Sequence, residues 1–269
     1  MLLLLILGLH RCQAYCGIRN HRGRAFSGRK YPAASDIPWL VSVAGNGQIC
    51  EGSIIDKWWI ITAASCLVMT KQSRVSGSRI LSGVPGMQVD RAIIHLEYTS
   101  GPGDRPSMFD IGLILLREPL AFHQNLWPAC WPADDHNLLG ATHTCWILGV
   151  QALDEEPWRW SGGVSRIQVQ LVEPSECLWY WPDITQQDLC ARNKATTRGH
   201  CQIRRGSPLV CFDIFHTKWF LVGLVGRALK DCHGPALATR ASTFTDCTLY
   251  ISWKQILQGA PLVGMASGW

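Results

Sequence analysis

Four stretches of strand length, each bounded by polar or turn residues, limit what this chain can fold into. WIITAA (59–64), IGLILL (111–116) and WFLVGLVG (219–226) are continuous apolar runs. GVSRIQVQLVE (163–173) alternates instead, with Ile167, Val169 and Leu171 set against Gln168 and Gln170, the period of a half-buried strand. Between Trp39 and Trp253 the chain reads as short strands separated by turns, an all-β barrel or sandwich. Only the end has helical spacing, Leu249, Trp253 and Ile256 after Thr248, a good N-cap residue. No internal repeat or low-complexity linker interrupts the pattern.

At 269 residues the chain suffices for one large or two small domains, which bury roughly three quarters of their unfolded surface. Charged residues are sparse at 17%, whereas there are 12 Cys and 13 Trp, a composition that argues against disorder. The formal charge of +5 is too small to imply nucleic acid without a clustered patch or binding motif. Leu2 to Leu9 has the length of a signal-peptide core and precedes Cys12-Gln13-Ala14, so cleavage after Ala14 is expected, with 1–14 as signal peptide. The alternative, an uncleaved anchor, needs about twenty apolar residues. The expected product is secreted and extracellular, with no membrane span.

Secretion places the cysteines in an oxidising compartment. Loss of Cys12 leaves eleven, so at least one thiol stays unpaired. No C-x-x-C pair occurs, and His200 beside Cys201 does not make a zinc motif. Neither a metal nor a cofactor is expected.

In order along the chain, IPWLVSV (37–43), CEGSIIDKWWIITAASC (50–66), FDIGLILL (109–116), CWILGV (145–150), LCAR (189–192), CQIRRGSPLVC (201–211) and FTDCTLYISW (244–253) resemble the chymotrypsin-like, trypsin-type serine proteases over nearly the whole mature chain. The resemblance implies two six-stranded antiparallel β-barrels packed face to face, a cleft between them and a C-terminal α-helix. It assigns 15–25 to a propeptide-like segment and 26–269 to the protease homology domain. The disulfides it implies are Cys50–Cys66, Cys145–Cys211, Cys177–Cys190 and Cys201–Cys232, with Cys16–Cys130 tethering the propeptide. Cys247 is left over, as a buried thiol acting as a small hydrophobe.

Acyl transfer in this family uses a serine nucleophile, a histidine base and an aspartate that orients the base. By the resemblance these positions hold Arg205, Ser65 and Asp110. A serine hydroxyl has no ionisation near neutral pH, and a guanidinium is neither nucleophilic nor deprotonable. Ile203 stands at the oxyanion-hole glycine and Arg204 at the aspartate that pairs with a newly cut N-terminus. AFSGRK (25–30) replaces the family's Ile-Val-Gly-Gly, with Arg24 one place too early for the cut. The resemblance puts Gly199 at the family's pocket-floor position and Gly226 and Arg227 where the family has Ser-Trp at the entrance, so no substrate preference follows. Even with Ser65→His and Arg205→Ser, the loop is expected to stay zymogen-like, because Arg204 repels a cut N-terminus.

Plainer roles compete for each of these residues. Asp110 can simply accept backbone hydrogen bonds, Arg204-Arg205 can be a solvated loop tip, and Ser207 has no evident base and packs or caps the turn. His95, His143 and His216 lie outside any motif. The expectation is a secreted, proteolytically inactive homologue, a pseudoprotease that binds an unidentified protein partner. One alternative is a serine-type endopeptidase with rearranged catalytic residues. Another is polyanion binding through Arg19, Arg22, Arg24, Arg29 and Lys30.

Overall fold

A computed structural model describes residues 16–18, 37–45, 48–68, 74–76, 87–95, 97–99, 108–123, 125–131, 144–152, 160–194, 203–228 and 235–241. The expected signal peptide (1–14), the propeptide-like segment apart from residues 16–18, AFSGRK (25–30), the five basic residues between Arg19 and Lys30, His143, Gly199, Cys201 and Cys232 of the expected fifth disulfide, Cys247 and the expected terminal helix lie outside these residues.

The first barrel is built from β1 (Leu40–Gly45), β2 (Gln48–Ile54), β3 (Trp59–Thr62), β4 (Arg74–Ser76), β5 (Met87–Ile94) and β6 (Gly112–Leu116). A short helix, α1 (Ala64–Val68), follows β3. The second barrel comprises β7 (Thr144–Ala152), β8 (Trp160–Val172), β9 (Asp188–Asn193), β10 (Pro208–Asp213), β11 (Lys218–Arg227) and β12 (Ala236–Arg240), with α2 (Pro174–Cys177) after β8. Both barrels are closed and antiparallel, in the orders β1-β2-β3-β6-β5-β4 and β7-β8-β9-β12-β11-β10. The second therefore repeats the strand order of the first, and closure removes the exposed strand edges.

The apolar runs form the barrel walls. Residues 59–62 and 112–116 pair as β3 and β6, and 219–226 lies within β11, which is buried over most of its length. In β8, Val169 is buried while Ile167 and Leu171 pack against the second barrel's core, as the alternation predicts. One core cluster joins Ile60, Ile61 and Ile114 of the first barrel to Leu148, Val210 and Leu221 of the second. Trp39 and Trp219, both fully buried, meet across the boundary with ring centroids 6.2 Å apart.

Residues 127–130 stitch the halves together: Trp127 N donates to Pro38 O (3.0 Å), Ala129 N to Ile54 O (3.0 Å) and Cys130 N to Trp219 O (2.9 Å). Cys16–Cys130, Cys50–Cys66, Cys145–Cys211 and Cys177–Cys190 are all formed. The first ties Cys16 to the crossing segment, where Gly17 N also donates to Pro128 O at 2.8 Å.

Candidate functional site

The start of α1, the turn before β6, the loop before β10 and the end of β11 gather around the Asp110 carboxyl, where the resemblance puts the cleft between the barrels. Asp110 sits in that turn. Phe109 ahead of it has φ of 51°, a region that bulky residues rarely enter, and Ile111 N donates back to Phe109 O at 2.7 Å. The Phe109 ring stacks on His95 at 4.7 Å, and His95 Nδ1 accepts from Glu97 N at 3.1 Å.

Ser65, in the first turn of α1, meets Asp110 twice. Its backbone N–H donates to Oδ1 at 2.6 Å and its hydroxyl to Oδ2 at 2.9 Å, and both residues are buried. Burial raises the Asp110 carboxyl above its ordinary range, opposed by the two Ser65 bonds, the Arg205 charge and the Ala64 amide. The carboxylate thus serves the backbone of α1, and the Ser65 proton points at it. Gly226 borders the same carboxylate, since a Cβ there would lie 3.5 Å from Oδ2.

Arg205 is exposed and Arg204 half-buried. The Arg205 carbonyl accepts from Glu51 N (3.0 Å), Gly206 N donates to Val225 O (2.8 Å), and Val225 N donates to Ser207 O (2.9 Å). Gly206, at φ 80°, passes so close to β2 that a Cβ would lie 2.0 Å from Glu51 O. In the chain as it stands these bonds tie the segment to β2 and β11.

Ile203 packs with Ala228 against the second barrel's core. Together with Ala236 and Asn193 these residues line a cavity of about 10 Å³, room for about one water. Arg227 lies 5.3 Å over the Trp181 ring and pairs with Asp183 at 3.2 Å. The structure therefore brings Ser65, Asp110, Arg205 and Gly226 together and turns Ile203 and Arg227 toward other neighbours.

Sequence reading missed Glu51. Its carboxyl accepts from Val150 N of β7 at 2.6 Å and from the Ser207 hydroxyl, and both Glu51 and Ser207 are 0% exposed. Ser207 Oγ in turn accepts from Arg204 N at 3.1 Å, so Ser207 does cap its turn, but as part of a network. Burial raises the Glu51 carboxyl from 4.5 to about 7, against the lowering effects of Ser207, Val150 N and the Arg204 charge. The available signal was a glutamate inside a strand whose neighbours Cys50, Gly52, Ser53 and Ile54 are small or apolar.

His216 binds Asp213 at 2.6 Å in the hairpin between β10 and β11. Burial raises the Asp213 carboxyl, but donation from His216 and the amides of Phe215 and His216 outweighs it and holds the group below its ordinary value. No group of three or more His, Cys, Asp or Glu side chains that could hold a metal occurs among the described residues. None of their helices is long and apolar enough to cross a membrane.

Comparison with known proteins adds two findings. The family model described as Trypsin matches residues 25–248. The chain also superposes on a solved structure described as "Kallikrein-related peptidase 10 complex with Zn2+", with a TM-score of 0.62 and 21% identity, over 84% of this chain and 99% of that one. At that identity the likeness speaks for the fold, and the zinc is a property of that complex.

Proposed function

This chain belongs to the trypsin family, and from that premise we propose that it is a secreted member that binds another protein through its cleft and does not hydrolyse peptides. One observation carries the reading: at the cleft centre the Ser65 hydroxyl is bound to Asp110, and the neighbouring position holds the exposed guanidinium of Arg205. Peptide hydrolysis on this scaffold needs a base that takes a proton from a nucleophile and later returns it. Neither Ser65 nor Arg205 can fill those roles.

A rearranged enzyme is the weaker reading. Its best serine and carboxyl pair, Ser207 with Glu51, lies at 0% exposure, out of reach of a scissile bond. A binding role is further supported, away from the Ser65–Asp110–Arg205 group, by exposed groups that a stable monomer does not need. Trp179 is 88% exposed beside Leu178 and Tyr180, next to the Trp181 ring that carries Arg227. Large aromatic residues left in solvent are a mark of protein-contact surfaces. Four disulfides and the family favour an extracellular setting.

The test pairs two experiments on the full-length chain. Incubation with a complex peptide pool is expected to produce no new termini. A photo-crosslinking side chain at position 205 or 179 is expected to give a discrete protein adduct in medium from expressing cells. New termini overturn the inactive reading, and absence of an adduct from both positions overturns the binding one.

A further inference from the structure

A carboxyl at 0% exposure with no ion-pair partner in contact among the described residues costs stability unless its hydrogen bonds are met, and an apolar side chain of similar volume usually serves the core as well or better. Glu51 is such a carboxyl, and what it touches is informative. Its side chain reaches β7 of the second barrel through Val150 N at 2.6 Å and the cleft loop through the Ser207 hydroxyl. Its backbone N–H holds Arg205 O at 3.0 Å, and its carbonyl accepts the Thr62 hydroxyl at 2.6 Å. The loop closes on itself through Ser207 N to Arg204 O and Arg204 N to Ser207 Oγ, both 3.1 Å. One residue of the first barrel thereby fastens both the second barrel and the segment that displays Arg204 and Arg205.

We propose that Glu51 is the positioning residue of the cleft, fixing the Arg204–Ser207 loop against both barrels while the N-terminal segment is still uncut. The proposal rests on reading the cleft as a binding surface, although its test needs no partner. It assigns to an internal side chain the ordering of a loop whose own residue 204 is cationic. The arrangement is also sensitive to protons. With the carboxyl ionised, Val150 N and Ser207 Oγ both donate to it. With it protonated, one carboxyl oxygen becomes a donor to Ser207 Oγ, which already accepts from Arg204 N. Among the described residues, Arg204 is the one charged side chain acting on Glu51, and the carboxyl changes state near neutral pH.

The test is residue-resolved hydrogen exchange on the uncut, full-length chain between pH 5.5 and 8.5, corrected for intrinsic rates. The amides of Arg204, Gly206, Ser207 and Val150 are expected to be protected in the wild type, with protection that changes around pH 7. Ser207→Ala and Glu51→Ala are each expected to speed exchange at 204–207 by about tenfold or more, with Ile60 and Ile114 unaffected. Glu51→Gln, which accepts from Val150 N and donates to Ser207 Oγ, is expected to keep the protection and flatten its pH profile. If Glu51→Ala is not recovered folded, Ser207→Ala and Glu51→Gln decide the matter. Unprotected 204–207 amides in the wild type, unchanged exchange in Ser207→Ala, or a wild-type pH profile in Glu51→Gln would each overturn the proposal. So would protection that arises only after the N-terminal segment is cut. A failure to find a protein partner would leave these outcomes untouched.

Discussion

The backbone amide and the hydroxyl of Ser65 both donate to the carboxylate of Asp110, at 2.6 and 2.9 Å, in a site that water scarcely reaches. Each oxygen of the carboxylate is therefore engaged by the start of α1. In this chain Asp110 fastens α1 to the turn ahead of β6.

That role predicts a graded response. Asp110→Asn keeps an acceptor for Ser65 N and lets the hydroxyl turn to accept, so a change within about 1 kcal/mol is expected. Asp110→Ala strands the Ser65 and Ala64 donors and is expected to cost roughly 2–4 kcal/mol. Denaturant unfolding of the two variants checks the order, and equal stability of both would show that the carboxylate holds nothing.

Gly206 is the tightest point of the cleft loop. A methyl group there would enter the Glu51 carbonyl at 2.0 Å, on backbone at φ 80°. Gly206→Ala is therefore expected to lose on the order of 3 kcal/mol or more, or to fail to accumulate. A thermal midpoint within a few degrees of wild type would mean that the loop sits farther from β2.

Glu51 predicts a pH dependence of definite sign. Its carboxyl is raised from 4.5 to about 7 in the folded chain, so between those values the folded state keeps a proton that the unfolded state has lost. The stability this contributes is complete below about pH 4.5, declines as pH rises and is gone above about pH 7, a change on the order of 3 kcal/mol. Glu51→Gln cannot titrate and removes that component. The difference in unfolding free energy between wild type and Glu51→Gln, measured at pH 5 and pH 8, should shift in favour of Glu51→Gln at the higher pH. A constant difference would place the carboxyl near its ordinary value.

Local chemistry carried the strands: the alternation of Ile167, Val169 and Leu171 and the apolar run 111–116 are set by neighbours along the chain. Barrel closure was not of that kind. Pairs such as Ser42 with Ser76 or Leu209 with Ile147 depend on contacts that no periodicity encodes; the family resemblance implied the two six-stranded barrels but not these registers. The disulfide pairing came likewise from the resemblance alone, and four of the five pairs it implied are formed among the described residues. Ser65, Asp110 and Arg205 were placed by motif, and their gathering at one cleft follows from the fold. The Glu51–Ser207 bond spans 156 positions and exists only because β2 of one barrel abuts the loop of the other, so its two residues look unrelated in sequence. The inward packing of Ile203 was hidden for the same reason, since a residue beside two arginines in a loop gives no hint that it faces a core.

Reversion should not restore proteolysis easily. In Ser65→His with Arg205→Ser, Asp110 is present to orient an imidazole, but Ile203 still packs on the second barrel's core and Arg204 still lies beside Glu51. A missing oxyanion donor alone lowers turnover by roughly a hundred- to a thousand-fold. The double variant is expected to be nearly inert in a peptide amidase assay, with activity emerging only after Ile203→Gly, Arg204→Asp and a rebuilt cleavage site are added. Robust hydrolysis by the double variant would show that the remaining cleft is already competent.

The most direct measurement is intact-mass analysis of the folded, full-length chain after exposure to a fluorophosphonate, which reacts with a serine only when a base has activated it. The account predicts no adduct, because the Ser65 hydroxyl is bound to Asp110 and Ser207 is buried against Glu51. A stoichiometric adduct mapped to either serine would contradict it and return this chain to the working enzymes of its family.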